Sequence, residues 1–295
     1  MTDQVPRTER VGVGAAFTTA SFFCIAVMSA LAKVAVQDAS TGVVVLVQNA
    51  GALLLILPVA LRGGWAGIRT DRFGVHVLRA AAGTAAWYAL FVAVTMVSLT
   101  TANLLVFSAP LWMPVLAWVA FRQRTSRRVW TGAGLGFAGI VLVLQPVGQE
   151  LNIGELIGLG GALMLAIALM SVRVLGSTEP PLRVLFYYFA LSSVLVLPIA
   201  VLDWRLPSSG QSWLVLLAIC VAQVVSQVFI VMGYRYASAV RLAPIVYSVI
   251  VFSAVIEWVV WGHPPGLVVV IGMVLVIGGG LLAILMRPKR LALVG

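Results

Sequence analysis

Ten apolar stretches run along the chain, near Val11–Val36, Gly42–Leu61, Val75–Ser98, Thr101–Phe121, Val129–Gln145, Ile153–Val174, Leu182–Leu202, Gln211–Gly233, Arg241–Trp261 and Gly266–Met286. Each approaches the about 20 mostly apolar residues that an α-helix needs to cross the hydrocarbon core of a bilayer. The connections are short and rich in breakers: Asp38-Ala39-Ser40, Glu179-Pro180-Pro181, Pro207-Ser208-Ser209-Gly210 and His263-Pro264-Pro265. Membrane β-strands would be about ten residues long and alternate in polarity; these stretches do neither. The pattern predicts an all-α integral membrane protein with ten transmembrane helices. A small-residue site stands at Ser29-Ala30-Leu31-Ala32, but the first apolar run is longer than that of a cleaved signal. The tail before it also mixes Asp3 and Glu9 with Arg7 and Arg10, so the run reads as an uncleaved first span.

Composition supports the same class. Of 295 residues, 62% are hydrophobic and 9% charged, against about 25% charged in a soluble domain. The net charge of +10 is an orientation signal. With the N-terminus inside and alternating spans, 17 of the 19 Lys and Arg residues fall on the inner side, and only Lys33 and Arg205 fall outside. Positive connections stay cytoplasmic, which predicts both termini in the cytoplasm. No soluble basic surface remains for a nucleic acid. Cys24 and Cys220 lie inside apolar stretches without CxxC spacing, so neither a metal nor a redox cofactor is expected.

A shift of 140 residues overlays the two halves. Gly14 meets Gly154, Pro58 meets Pro198, Trp118 meets Trp258, Gly132 meets Gly272, Gly139 meets Gly279, and Lys33 meets Arg173. The expected division is residues 1–148 and 149–295. Five helices is an odd number, so the second half enters from the opposite side as an inverted repeat. Such repeats occur in secondary transporters, with the substrate near mid-bilayer between the halves.

Three runs resemble a known family. They are Arg79 to Ser98; Pro110-Leu111, Gln123-Arg124-Thr125-Ser126, Trp130-Thr131-Gly132 and Gly139; and Tyr247, Trp261-Gly262-His263-Pro264, Gly272 and Gly279. Together they are similar to the EamA-type members of the drug/metabolite transporter superfamily, above all to exporters of aromatic amino acids. The resemblance implies cytoplasmic termini, a central cavity lined by helices one to four and six to nine, and helices five and ten as scaffold. Four positions depart from it. Gln123 and His263 stand where the family often has Glu, Gln48 where many members have Arg, and Glu257 where Gly is common.

Polar and aromatic residues deep in spans are the candidate site. Trp87 and Tyr88 lie mid-span, away from the interfaces where such rings gather. Gln223 and Gln227 share a helical face, and a lipid-facing amide pair would be left unpaired. Trp112, between Pro110 and Pro114, and Ser108 one turn away share a further candidate wall; Gln48 and Asn49 sit nearer the outer half of the second helix, and Tyr247 and Ser248 nearer the inner half of the ninth. Packing within the bundle is the competing role for each. Glu257, Lys33 and Arg173 are candidate gate or coupling groups, with a solvated or paired surface role open for Glu257 and interfacial anchoring favoured for the two cations. Gly132 and Gly136 form a GxxxG pair suited to close helix packing.

These features predict a facilitator in the bacterial inner membrane that exports amino acids or similar small amphipathic metabolites. Its partners would be a small-molecule substrate and the bilayer, and a monomer is compatible with that. No acid lies at the centre of a span, which weighs against the alternative of a proton-coupled drug or metabolite antiporter. A membrane enzyme would need a nucleophile or metal cluster that the sequence lacks. The uncharged cavity candidates argue against a phosphorylated, nucleotide-sugar type of cargo.

Overall fold

A computed structural model describes residues 10–61, 69–121, 127–144, 152–176, 178–237 and 242–285. The described residues form eleven α-helices and one 3-10 helix. They are α1 (Val11–Ala35), α2 (Thr41–Ala60), α3 (Phe73–Met96), α4 (Leu99–Val106), α5 (Ala109–Phe121), α6 (Arg127–Leu144), α7 (Ile153–Leu175), α8 (Pro181–Leu202) and α9 (Gly210–Tyr236). A 3-10 segment (Ala243–Tyr247), α10 (Ser248–Trp261) and α11 (Leu267–Leu285) complete the chain. Eight spans are long and apolar enough to cross a membrane, and the shorter apolar helices Val129–Leu144 and Leu267–Leu282 complete ten. The protein is an all-α membrane protein of two inverted five-helix repeats.

Two spans differ from the single helices expected. The fourth starts at Leu99 and breaks at Phe107–Ser108 into α4 and α5. Pro110 has no N–H to give the Val106 carbonyl, and the Leu111 N–H turns to the Ser108 carbonyl at 2.8 Å. The ninth span opens as a 3-10 turn that becomes α-helical at Ser248. Phe107–Ser108 and Tyr247–Ser248 are 140 residues apart, so each half carries its helix irregularity at the same place.

The packing obeys the same symmetry. α1 lies along α9, as α7 lies along α3; α10 packs on α1, as α4 and α5 pack on α7; α8 touches α3, as α2 touches α9. α2 with α8, α4 with α10, and α6 with α11 pair across the axis. Small residues permit the closest approaches. A Cβ on Gly14 would lie 2.9 Å from that of Ala237, and one on Gly154 would lie 2.6 Å from that of Met96. Between α6 and α11 a Cβ on Gly139 would sit 2.8 Å from the Gly272 carbonyl oxygen, and one on Gly279 would sit 2.5 Å from that of Gly132. These two contacts map onto each other under the shift. Lipid offers no hydrophobic drive for helix pairing, so such backbone proximity carries the association.

Gly279→Val drives a branched side chain into the α6 backbone. Overpacking of this kind costs about 1–3 kcal/mol. The detergent-solubilised variant is expected to melt several degrees below wild type; an unchanged melting curve would refute the seam.

Candidate functional site

Glu257 is the best-satisfied charged group among the described residues. It lies one turn before the C-terminal end of α10, and only 3% of it is exposed. Its Oε1 accepts the Leu99 N–H at 2.7 Å, and its Oε2 accepts the Thr100 N–H at 2.9 Å and the Thr100 hydroxyl at 2.5 Å. The carboxylate thus closes the N-terminus of α4, where backbone donors lack intrahelical partners and the helix dipole favours an anion. Lys33 of α1 donates to Oε1 at 3.2 Å and lies 4.9 Å from the Trp261 ring centre. Of the roles open to Glu257, these contacts show pairing, and Lys33 turns inward to that ion pair instead of anchoring at the interface. Only the backbone of Arg173 belongs to the described residues, and Gln123 lies outside them.

A second cross-half cluster gathers at the loop between α7 and α8. There Glu179 accepts the Thr70 hydroxyl at 2.6 Å and Arg183 Nη1 at 2.7 Å. Partial burial would raise its pKa, but the Thr70 and Arg183 hydrogen bonds and the Arg183 charge hold it below the ordinary value of 4.5. In the first turn of α3, His76 packs on Tyr187 with centroids 4.5 Å apart and rings tilted by 34°. Arg79 lies over the ring of Tyr188 at 4.6 Å. In the connection after α1, Asp38 accepts the Ser208 N–H and hydroxyl at 2.8 and 2.7 Å. The hydroxyls of Ser208 and then Ser212 lower its pKa.

Between these faces lies a belt of buried polar groups. Thr84, Ser192 and Gln223 sit at the middles of α3, α8 and α9, and Gln48 and Asn49 sit nearer the N-terminal end of α2. The Thr84 and Ser192 hydroxyls, the Gln48 and Asn49 side-chain oxygens and both polar atoms of Gln223 have no hydrogen-bond partner among the described residues. Gln48 Nε2 contacts Met28 Sδ at 3.3 Å, and Asn49 Nδ2 donates to the Val45 carbonyl at 2.8 Å. Trp87 stands beside this belt with Phe91 and Phe107, at centroid distances of 5.9 and 6.5 Å. Tyr88 and Gln227 are half-buried.

The other expected residues lie on the fourth and ninth spans, where Trp112 Nε1 and the Tyr247 hydroxyl have no hydrogen-bond partner among the described residues. Trp112 packs edge-on against Phe137 of α6 at 5.1 Å. Tyr247 drives its hydroxyl against Gly280 of α11, leaving no room for a Cβ there. Ser108 spends its hydroxyl on the Leu105 carbonyl at 2.6 Å, and Ser248 Oγ has no partner among the described residues. Trp112 and Tyr247 therefore pack the broken spans against α6 and α11. Arg79, Tyr188, Thr84 and Ser192 escaped the sequence reading. Arg79 was there to find: it lies inside the third apolar stretch, four residues before Gly83 and eight before Trp87.

Comparison with known proteins places this arrangement. The model of the EamA-like transporter family matches residues 12–145 and again residues 152–285. The chain belongs to the EamA-like transporter family. It is 28% identical over 228 residues to the riboflavin transporter of Vibrio cholerae, covering 76% of each chain. It is 26% identical over 258 residues to the pseudopaline exporter of Pseudomonas aeruginosa, covering 86% of this chain and 90% of that one. The S-adenosylmethionine uptake transporter of Rickettsia prowazekii is 26% identical over 243 residues, covering 81% of each. A protein of known crystal structure shares the fold with a TM-score of 0.64 at 18% identity, over 93% of this chain and 99% of that one. The EamA-type membership expected from the three sequence runs is thus shown. These named relatives carry substrates other than aromatic amino acids.

Two measurements probe the end clusters. Glu257→Gln leaves Lys33 unpaired and weakens the α4 cap. Removing one partner of a fully buried pair costs about 3–5 kcal/mol; Lys33 keeps a fifth of its side chain exposed, so about 2 kcal/mol is expected here, after discounting for that exposure. A melting temperature equal to wild type would remove the cap from the account. Glu179 has a folded-state pKa below its unfolded value, so its contribution is complete above about 4.5 and disappears as pH falls through the folded-state pKa. Stability plotted from pH 7 to pH 3 should fall more steeply for wild type than for Glu179→Gln; parallel curves would contradict this.

Proposed function

We propose that this EamA-family membrane protein is a facilitator that exports small amphipathic metabolites, amino acids with aromatic or large apolar side chains among them. The halves 1–148 and 149–295 rock against each other about a central site. Termini in the cytoplasm of a bacterial inner membrane follow from the positive-inside distribution of Lys and Arg.

The observation that carries this reading is the belt of unsatisfied polar atoms on α2, α3, α8 and α9. Burying an uncompensated amide or hydroxyl in protein costs about 1–3 kcal/mol. A passing substrate that donates to and accepts from Gln48, Thr84, Ser192 and Gln223 recovers part of that cost. Trp87, with Phe91 and Phe107 behind it, offers an apolar wall to the rest of the molecule. The Glu257 cluster outside and the Glu179 cluster inside both tie one half to the other. Opening toward either side breaks one cluster while the other holds, which is alternating access in physical terms. Glu257 satisfies α4 and Lys33 at once, so it is poorly placed to exchange protons during a cycle, and this favours a facilitator.

The riboflavin, pseudopaline and S-adenosylmethionine relatives move molecules that combine polar groups with a larger body. Such chemistry suits a belt of neutral donors and acceptors beside an aromatic wall.

Proteoliposomes loaded with radiolabelled Phe, Trp or Met should release them faster than empty-protein controls, at a rate indifferent to a pH gradient. Trp87→Ala and Gln223→Ala should each slow release about tenfold, the factor that 1.4 kcal/mol confers. Release that requires a proton gradient would defeat the facilitator reading, and no release of any amino acid would defeat the substrate assignment.

A further inference from the structure

The N-terminal half of α3 holds a half-buried cation, Arg79, that no acid among the described residues neutralises. We propose that Arg79, which lies over the ring of Tyr188, binds the carboxylate of the transported molecule, so that the cargo is a small carboxylate-bearing compound with an apolar or aromatic body. This rests on the transport reading above and narrows its substrate class.

Arg79 lies six residues into α3, roughly 9 Å from its inner end. Its Nε is shut off from solvent and has no hydrogen-bond partner among the described residues. The described acids are committed or remote. Glu257 serves α4 and Lys33, Glu179 serves Thr70 and Arg183, Asp38 serves Ser208, and Glu155 completes the capping box of α7. Asp71 and Asp203 are exposed, the latter beyond the outer end of α8. An ionisable group inside a span is expensive, and such groups mark substrate paths.

The surroundings are built to hold this guanidinium in place. Tyr188 is 3% exposed and packs among Ala52, Ile56, Ala80 and Phe189. Its ring fits because residue 83 is glycine; a Cβ there would lie 2.7 Å from Tyr188 Cε2. Arg79 lies over this fixed ring, its Cζ 4.6 Å from the ring centre. A guanidinium held there offers its N–H fork, the group that grips a carboxylate with two parallel bonds.

The remaining groups fit the rest of such a molecule. Tyr188 reaches from the cation toward Trp87, its hydroxyl beside the indole and near Ser192, whose hydroxyl falls short of hydrogen-bond geometry. Trp87 in turn meets Phe91 and Phe107. One tyrosine ring therefore separates the anion-binding end from the aromatic wall. A cargo with its carboxylate on Arg79 lays its body on Trp87 and its remaining polar groups on the belt.

The test is thermal unfolding of the purified full chain in neutral detergent, followed by tryptophan fluorescence. Millimolar 3-phenylpropionate and L-phenylalanine should raise the wild-type midpoint by several degrees, and 2-phenylethylamine and phenylalaninamide should not. Arg79→Gln should weaken the apparent affinity for the carboxylates at least tenfold. Its ligand-free midpoint should equal or exceed that of wild type, because an unpaired charge has gone. Arg79→Lys, which keeps the charge and loses the fork, should respond weakly, and it replaces the first variant if that one does not fold. Equal responses in wild type and both variants, no response of wild type to either carboxylate, or stabilisation by phosphatidylglycerol alone would each overturn the proposal. Proteoliposome flux separates it from the transport reading. Movement of 2-phenylethylamine untouched by Arg79→Gln keeps transport and removes the carboxylate site; carboxylate binding lost in Arg79→Gln without flux of any probe keeps the site and removes transport.

Discussion

A helix that begins inside a membrane bundle exposes backbone N–H groups that neither lipid nor its own carbonyls can satisfy. At the head of α4 that demand is met by Glu257, a side chain from the other half of the chain. The carboxylate takes two backbone donors, the Thr100 hydroxyl and the ammonium of Lys33, and so ties α1, α4 and α10 at one point. The break between α4 and α5 becomes tolerable because the short outer piece is held at its start by this anion and at its side by α7. A second tie between the halves runs through loop and helix-end groups around Glu179, whose carboxylate is nearly as closely covered as that of Glu257. Each tie thus centres on a carboxylate that a cation and a threonine hydroxyl satisfy.

Much of the fold was legible from the chain. The number of spans followed from apolar runs of bilayer length, and the repeat followed from Gly14, Pro58, Trp118 and their counterparts 140 residues on. The GxxxG pair at Gly132 and Gly136 meets Gly279, as its spacing suggested. The breaks in the fourth and ninth spans were not legible, although Pro110, Pro114 and Pro244 lie beside them. A proline removes a donor without saying whether the helix bends, tightens or stops; here the outcome depends on the seats that α6 gives Trp112 and α11 gives Tyr247.

The site was less legible for a related reason. Residue type and depth show that a side chain is costly in lipid, but not which neighbour relieves the cost. Gln223 was placed inward by that reasoning and is fully buried. Lys33 was assigned to the interface because long cations reach headgroups, yet a carboxylate 224 residues away draws it inward. Arg79 was counted among the basic residues that orient the chain. Both descriptions apply to it, since a charge can fix topology by its side of the membrane and still occupy the bundle.

The glycine seam between α6 and α11 has a consequence of descent. Its Gly139–Gly272 and Gly132–Gly279 approaches are a single contact made twice, as in a two-fold dimer whose partners present the same patch. One five-helix unit contains everything needed to form it with an upside-down copy of itself. An ancestral unit inserted in both orientations would already have owned this interface before fusion. Glu257 departs from that symmetry: the residue 140 positions before it is Ala117, so this cap belongs to one half alone.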